Sequence, residues 1–253
     1  MEFAGKVVGW FTDPVNWSGN DGIPIRLAEH LVLSATPLVI ALVIGLPLAA
    51  WVGHTGRFAG LAINVTNVGR AIPSLAIMAL AAMLMSRLLV DIGLRREAGE
   101  ISTIVAMAAL AIPPIVTNTY VGISEVEREL VEAARAMGMT ASQVLRRVEL
   151  PLALPVILAG VRTAAVQVVA TATLGAVFGT GGIGRYIIDG IAQRKDEEVF
   201  AGALIVAALS IGTELVFAMI QRRTVSAGLR GSSTTAPREP AQGGRADSAF
   251  LPR

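Results

Sequence analysis

Few residues of this chain are of the types that carry catalytic or metal chemistry. The sequence has no cysteine, which excludes disulfides, thiolate nucleophiles and cysteine-ligated metals. Its only histidines, His30 and His54, lie near opposite ends of one long apolar segment, so we predict a polar role at a helix end for each and no shared metal site. No pairing of a nucleophile with a base is recognisable in the sequence. These residue types do not favour an enzyme.

One glycine-rich segment has the composition of a ligand-binding loop. Glycines recur at Gly179, Gly181, Gly182 and Gly184, directly after an apolar segment. A phosphate-cradling loop needs a Lys-Ser or Lys-Thr pair after its glycines, and neither follows here, nor is there a Walker A sequence elsewhere in the chain. We therefore interpret the segment as a close-packed turn near an outer gate, with a ligand role as the alternative.

The composition indicates a membrane protein. Apolar residues make up 53% of the 253 residues and charged residues only 16%, and the mean hydropathy is +0.63. An ordinary soluble domain carries more charge and less apolar residue content. The pI of about 9.5 accompanies a net charge of only +2 and no basic run, so we predict no nucleic-acid partner.

Five apolar segments are long enough to cross a bilayer, which needs roughly 20 residues of helix. We predict an all-α, polytopic helical membrane protein with spans at residues 25–52, 58–90, 101–120, 152–178 and 200–220. The second segment is interrupted at Ile72-Pro73-Ser74, and we interpret it as one tilted span kinked at Pro73, with two spans as the alternative.

Polar side chains inside these segments are candidates for a translocation pathway. Gln167, Thr171 and Thr173 share the fourth segment and are predicted to line that pathway. Arg162 and Glu214 are ionisable residues within predicted spans, a costly placement unless they pair or face water. Arg162 can alternatively extend its charged end towards the membrane surface.

A charged island within the chain predicts a helical hairpin over residues 124–150. Ser124-x-x-Glu127 and Thr140-x-x-Gln143 both have the capping-box pattern of a helix start. Gly138 precedes the second cap, where a helix ends and a positive φ is expected.

Pro151 is expected to end the second hairpin helix, because it lacks an N–H and disfavours helix in the residue before it. An apolar face with helical spacing is predicted for the first hairpin helix. Its members are Val126, Leu130, Val131, Ala134 and Met137.

The island also resembles a known sequence motif, E-A-A-x3-G-x9-I-x-L-P. This motif is typical of permease subunits in binding-protein-dependent ABC importers, where a cytoplasmic hairpin inserts into a groove of the ATP-hydrolysing subunit. Val148 stands where the family usually has Ile. The matching residues, which the resemblance makes the ATPase-coupling residues, are Glu132, Ala133, Ala134, Gly138, Leu150 and Pro151.

The resemblance also implies a fold, a membrane location and a set of partner subunits. It implies the type I, methionine-importer-like permease fold in the cytoplasmic membrane, a second permease copy or paralogue, two ATPase subunits and an extracytoplasmic solute-binding protein. ATP and Mg²⁺ would be used by the ATPase subunits, and this chain would bind no cofactor. Segments around residues 72–76, 111–120 and 150–184 resemble the osmoprotectant branch, which imports glycine betaine, choline, carnitine or proline. The resemblance covers about residues 25–221.

Two alternative functions remain at this stage. An importer of the same family for another small polar solute, such as an amino acid, fits the coupling motif equally well. A secondary transporter driven by an ion gradient would need paired acidic residues at mid-membrane, and Glu214 is the one candidate.

Basic residues predict the orientation of the chain. With the hairpin in the cytoplasm, eleven Lys and Arg residues fall on the inside and seven on the outside, in agreement with the positive-inside rule. Residues 1–24 are then an extracytoplasmic segment that is too polar for a signal peptide. Residues 25–221 form the permease domain, and residues 222–253 form a cytoplasmic tail with the composition of a disordered segment.

This topology can be tested because the chain has no native cysteine. Single cysteines at Ser18 and Gly243 should react with an impermeant maleimide from outside the cell and only after lysis, respectively. Labelling of both positions from the same side would indicate six spans.

Overall fold

The computed structural model describes residues 2–94 and 97–224, without the side chains of Val65, Arg70 and Ser86. Every regular element in these residues is helical. The α-helices, in chain order, are α1 (Glu2–Thr12), α2 (Ile23–Thr55), α3 (Ala59–Ala71), α4 (Ser74–Asp91), α5 (Ala98–Ser124), α6 (Arg128–Ala136), α7 (Ala141–Val144), α8 (Leu150–Thr171), α9 (Gly184–Gln193) and α10 (Asp196–Thr224). A π-helical turn, Leu145–Glu149, joins α7 to α8, and 3-10 segments occupy Pro14–Trp17 and Ala172–Phe178.

Within the described residues, five helical stretches are long and apolar enough to cross a membrane, as the sequence predicts. They are Ile23–Thr55, Ser74–Asp91, Ala98–Ser124, Ala141–Phe178 and Asp196–Thr224. The predicted tail lies outside the described residues from residue 225 onward, and its first three residues continue α10.

The predicted single, kinked second span is wrong, because residues 58–90 form two helices. Ile72 adopts an extended conformation, with φ −80° and ψ 128°, and Pro73 precedes the first residue of α4. The residue before a proline is driven out of the helical region by the proline ring. The 13 residues of α3 reach only about 20 Å, less than the ~30 Å of a hydrocarbon core, so α4 alone is the span.

The core of the protein lies between α2, α5 and α8. Its centre consists mainly of small side chains that are fully buried, among them Ala41, Ala111 and Ala164. A Cβ atom on Gly160 would lie 2.5 Å from the Asn118 Cβ atom and 2.7 Å from the Pro114 carbonyl oxygen. Small residues of this kind let helices cross closely in lipid. Much of the small-residue face of α8 is therefore used for packing within its own chain.

A second, smaller cluster joins α1 and the start of α2 to α9 and α10. Ile23, Ile183, Tyr186 and Val206 are buried together, with Trp10 packed against them. The Trp10 ring contacts the Tyr186 ring edge to face at a centroid distance of 5.2 Å. This cluster holds α1 and α9 against α10 at the end of the bundle away from the predicted hairpin.

Close packing of α5 on α8 predicts a large effect of one added methyl group. Gly160→Ala should lower the stability of the purified chain in detergent by about 1–3 kcal/mol, because the methyl group overlaps backbone and side-chain atoms of α5. Gly212→Ala is the matched control, since Gly212 is also inside a helix and has open space at its Cβ position. Thermal unfolding measures both, and equal melting temperatures would contradict the proposed packing.

Candidate coupling hairpin and translocation pathway

The first hairpin helix begins three residues later than the sequence predicts, with Glu127 and not Ser124 as the residue before it. Ser124 is the last residue of α5, and its hydroxyl donates to the Val121 carbonyl oxygen at 3.2 Å. Glu127 precedes α6 in an extended conformation, and no side chain caps that helix. The predicted Ser124–Glu127 capping box is therefore wrong, because the apolar α5 helix continues through Ser124 and keeps its backbone helical.

The turn between the two hairpin helices has the predicted conformation. Gly138 has φ +85°, and the Met139 N–H donates to the Ala134 carbonyl oxygen at 3.2 Å. A bond from that position to a carbonyl five residues earlier, with glycine in the left-handed region, closes a helix by the Schellman motif. Thr140 and Gln143 then form a capping box, with each side chain bonded to the other residue's backbone N–H.

Pro151 does not end a helix, contrary to the sequence-based prediction. The helical path runs from Ala141 through the π-helical turn into α8 without a break. The Leu150 N–H donates to the Leu145 carbonyl oxygen, one residue farther back than in an α-helix. This wider turn precedes Pro151, which sits in the first turn of α8, where a missing N–H is tolerated. The second hairpin helix is thus continuous with the fourth span.

The apolar face of α6 is only partly covered. Ala134 is buried, whereas Leu130 and Met137 are 44% and 73% exposed. Glu132, Ala133 and Gly138 are exposed as well. Leu130 and Met137 therefore leave part of this face uncovered by the chain itself.

The connection between the hairpin and the first span involves a pair that the sequence analysis missed. The His54 Nδ1 atom lies 2.6 Å from the Glu149 Oε2 atom, although the two residues are 95 positions apart. Both side chains are largely buried. The sequence showed only a histidine near a span end and a glutamate in a charged island. Their contact depends on how α2 packs beside the π-helical turn.

His30 does not have the predicted role at a helix end. It lies inside α2 and is fully buried. Its Nε2 atom lies 3.0 Å from the Val169 carbonyl oxygen, and a carbonyl can only accept, so Nε2 carries the hydrogen. His30 therefore joins α2 to α8 near the end that lies opposite the hairpin.

The glycine-rich segment is a turn that the chain's own carboxylate occupies. Gly179 and Gly182 have φ of +85° and +87°. The Gly182 N–H donates to the Glu29 Oε2 atom at 2.8 Å, and the Arg26 guanidinium donates to the same oxygen at 2.9 Å. A Cβ on Gly181 would overlap the Glu29 carboxylate. These contacts favour the turn over a site for an added anion.

Of the three predicted pathway residues, Gln167 faces a cavity. That cavity has a volume of about 330 Å³ and lies beside the break between α3 and α4. Its lining residues are Gly69, Ala71, Ile72, Pro73, Ser74, Leu110, Pro113 and Gln167. The hydroxyls of Thr171 and Thr173 instead donate to carbonyl oxygens one turn earlier in their own helical segment.

The ionisable residues inside two spans pair with each other. The Arg162 guanidinium donates to the Glu214 carboxylate, which joins α8 to α10. Pairing lowers the cost of keeping either charge at membrane depth. Arg162 therefore does not extend alone to the membrane surface.

Five candidate spans in the described part of the chain, together with a helical hairpin that continues one of them, define a helical membrane protein. The chain belongs to the family of binding-protein-dependent transport system inner membrane components, whose family model matches residues 41–226. It is therefore a membrane-embedded permease subunit of an ABC importer and not an enzyme.

Similar proteins of known activity transport osmoprotectants. The chain is 34% identical to the glycine betaine/carnitine/choline transport system permease protein OpuCB of Bacillus subtilis over 206 residues, which cover 81% of this chain and 90% of that one. It is 36% identical to the osmoprotectant import permease protein OsmY of Salmonella typhimurium over 197 residues, which cover 77% and 79%.

The fold is also that of a solved importer. An inward-facing structure of the MetNI methionine ABC transporter matches with a TM-score of 0.71 and 22% identity, covering 85% of this chain and all of the matched chain. The predicted methionine-importer-like permease fold is confirmed.

The turn at Gly138 predicts a defect in coupling without a defect in membrane insertion. Gly138→Val places a β-branched side chain at φ +85°, a strain of about 1–3 kcal/mol that should distort the exposed turn. We expect the variant to insert normally and to lose solute-stimulated ATP hydrolysis in the assembled transporter.

Gly93→Val is the matched control for this prediction. Gly93 has φ +87°, also has open space around its Cβ position, and lies at the end of α4 outside the hairpin. It should carry the same strain and keep the stimulation. Normal stimulation in Gly138→Val would exclude Gly138 from coupling.

Proposed function

We propose that this chain is the transmembrane subunit of an ATP-driven importer for small osmoprotectants of the glycine betaine, choline, carnitine or proline type. The main support is its similarity, at 34–36% identity over about four fifths of its length, to permeases named for these solutes. An amino-acid importer is less well supported, because the likeness to the methionine transporter, at 22% identity, reflects only the fold.

The hairpin is the proposed contact with the ATPase subunits. Leu130 and Met137 offer exposed apolar side chains, and Glu132, Ala133 and Gly138 lie exposed on the same element. Ala134 is buried and stabilises the hairpin from within. Leu150 and Pro151 lie where the π-helical turn enters α8, so they are proposed to connect the hairpin to the fourth span. Each of two ATPase subunits would bind ATP and Mg²⁺ and dock on one permease.

Transport is proposed to follow alternating access in a permease pair. Closure of the ATPase subunits on ATP would displace the two hairpins, and the helical path from Ala141 to Phe178 would carry that displacement across the bilayer. The turn at Gly179–Gly184 lies at the other end of this path, which suits an outer gate. A separate extracytoplasmic binding protein would deliver the solute there.

Reconstitution tests the proposed substrate class. The permease, its ATPase and its binding protein should together take up labelled glycine betaine, choline, carnitine or proline into proteoliposomes in an ATP-dependent manner. Uptake of methionine or another amino acid in place of all four would disprove the osmoprotectant assignment.

Solute selection is proposed to lie in the binding protein, because the described residues place no aromatic ring in the wall of the cavity that Gln167 lines. Quaternary ammonium groups are held by aromatic rings, with each contact contributing about 0.5–2 kcal/mol. The cavity beside Gln167 has no aromatic residue in its lining. The Trp51 and Phe58 rings stack with their centroids 6.2 Å apart in the wall of a separate, apolar cavity of about 300 Å³, which Gln167 does not line. Trp10 packs against Tyr186 in an apolar cluster.

The permease alone should therefore bind these solutes weakly. Calorimetry on the purified chain should detect no saturable binding of glycine betaine or choline tighter than about 1 mM, which corresponds to roughly −4 kcal/mol. The purified binding protein is the positive control. Micromolar binding by the permease alone would instead locate selectivity within the membrane.

A further inference from the structure

Two buried ionisable side chains meet where the first span reaches the hairpin. His54 and Glu149 are 13% and 7% exposed, and the His54 Nδ1 and Glu149 Oε2 atoms are 2.6 Å apart. A carboxylate can only accept, so the His54 Nδ1–H donates to it. Hydrogen bonds to a charged group in a buried setting are stronger than neutral ones. Among the ion pairs of the described residues, this pair and Arg162–Glu214 are the two that join distant elements.

The pair lies in the wall of a cavity between the hairpin and the spans. This cavity has a volume of about 430 Å³. Its walls come from the end of α2 with His54, the end of α5 with Ile123, helix α6 with Val131 and Glu132, and the π-helical turn with Glu149. Because open space separates α6 from α2 here, α6 offers little direct packing through which it could push the first span.

The two spans next to this cavity receive hairpin motion by different routes. The fourth span is covalently continuous with the second hairpin helix through the π-helical turn. The first span ends at Thr55 and has no such continuity with it. Its last turns contact α5, where a Cβ on Gly53 would lie 3.0 Å from the Ile123 Cβ atom. The His54–Glu149 bond adds a direct connection from this end of α2 to the turn that carries the hairpin.

We propose that the His54–Glu149 hydrogen bond is a transmission link that makes the first span follow the hairpin during ATP-driven transport. Both residues are positioning residues, since neither contacts the cavity beside Gln167. Glu149 stands between Val148 and the Leu150-Pro151 pair in the sequence. π-helical turns are adaptable segments that occur often at functional sites, and Glu149 ends one. The inference rests on the proposed function as an ABC importer subunit.

The test measures how much solute is transported for each ATP hydrolysed. The complete transporter, with ATPase and binding protein, is reconstituted with His54→Ala, Glu149→Ala and the double alanine variant. We expect solute transported per ATP to fall at least about fivefold in each, while ATP hydrolysis continues. The double variant should be no worse than either single variant, because the two residues act as one unit.

The double variant also distinguishes a loss of transmission from a loss of stability. A single alanine leaves one buried polar partner unpaired and can destabilise the chain, whereas removal of both partners leaves no orphan charge. The double variant should therefore assemble and melt close to the wild-type transporter yet remain uncoupled. A wild-type ratio of solute to ATP in the assembled double variant would overturn the proposal.

Conservative variants test whether the hydrogen bond itself maintains the ratio of solute to ATP. The amide N–H of His54→Gln can still donate to Glu149, and the amide oxygen of Glu149→Gln can still accept from His54. Both should keep most of the wild-type ratio, and equal impairment of glutamine and alanine variants would contradict a role for the hydrogen bond.

A surface pair is the matched control. Glu2 and Lys6 form an exposed ion pair at 3.4 Å within α1, so Glu2→Ala with Lys6→Ala removes a pair that joins no two spans. This variant should transport with the wild-type ratio. Failure of the proposed function would appear as an absence of osmoprotectant uptake by the wild-type transporter, whereas failure of the link would appear only in the variants.

Discussion

The unbroken helical path from Ala141 to Phe178 is the constraint on which the rest of the structure depends. Backbone groups inside a bilayer must be satisfied within the chain, and this path contains two prolines, Pro151 and Pro155, neither of which has an N–H to contribute. Pro151 follows the π-helical turn in the first turn of α8, and the helix continues through Pro155. As a result, the hairpin and the fourth span form one body, and α2 and α5 must fit closely against it.

The first span is connected to this path near both of its ends. His30 bonds to the Val169 carbonyl oxygen at one end, and His54 bonds to Glu149 at the other. The residue numbers rise along α2 from His30 to His54, while those of their partners fall from Val169 to Glu149. The two helices are therefore antiparallel. Between these bonds, the contact consists of small buried residues such as Ala41 and Ala164.

The sequence correctly predicted the turn and the second helix start of the hairpin, but not the start of its first helix. Thr140, Gln143 and Gly138 adopt the predicted cap and turn, because both features depend on residues within a few positions of each other. Ser124 fails as a cap because the preceding apolar helix extends through it. The second span was predicted as kinked, whereas the preference of Ile72 for extended backbone before Pro73 breaks it completely.

The sequence by itself determined the membrane class, the number of spans, the hairpin and the family, because these follow from composition, span length and a motif of fixed spacing. The tertiary structure alone decided which distant polar residues meet. Glu29 with Gly182, Arg162 with Glu214, and His54 with Glu149 are each separated by 52 or more positions. Such contacts are set by helix crossing and rotation, which depend on the packing of all neighbouring side chains and leave no pattern within any one segment.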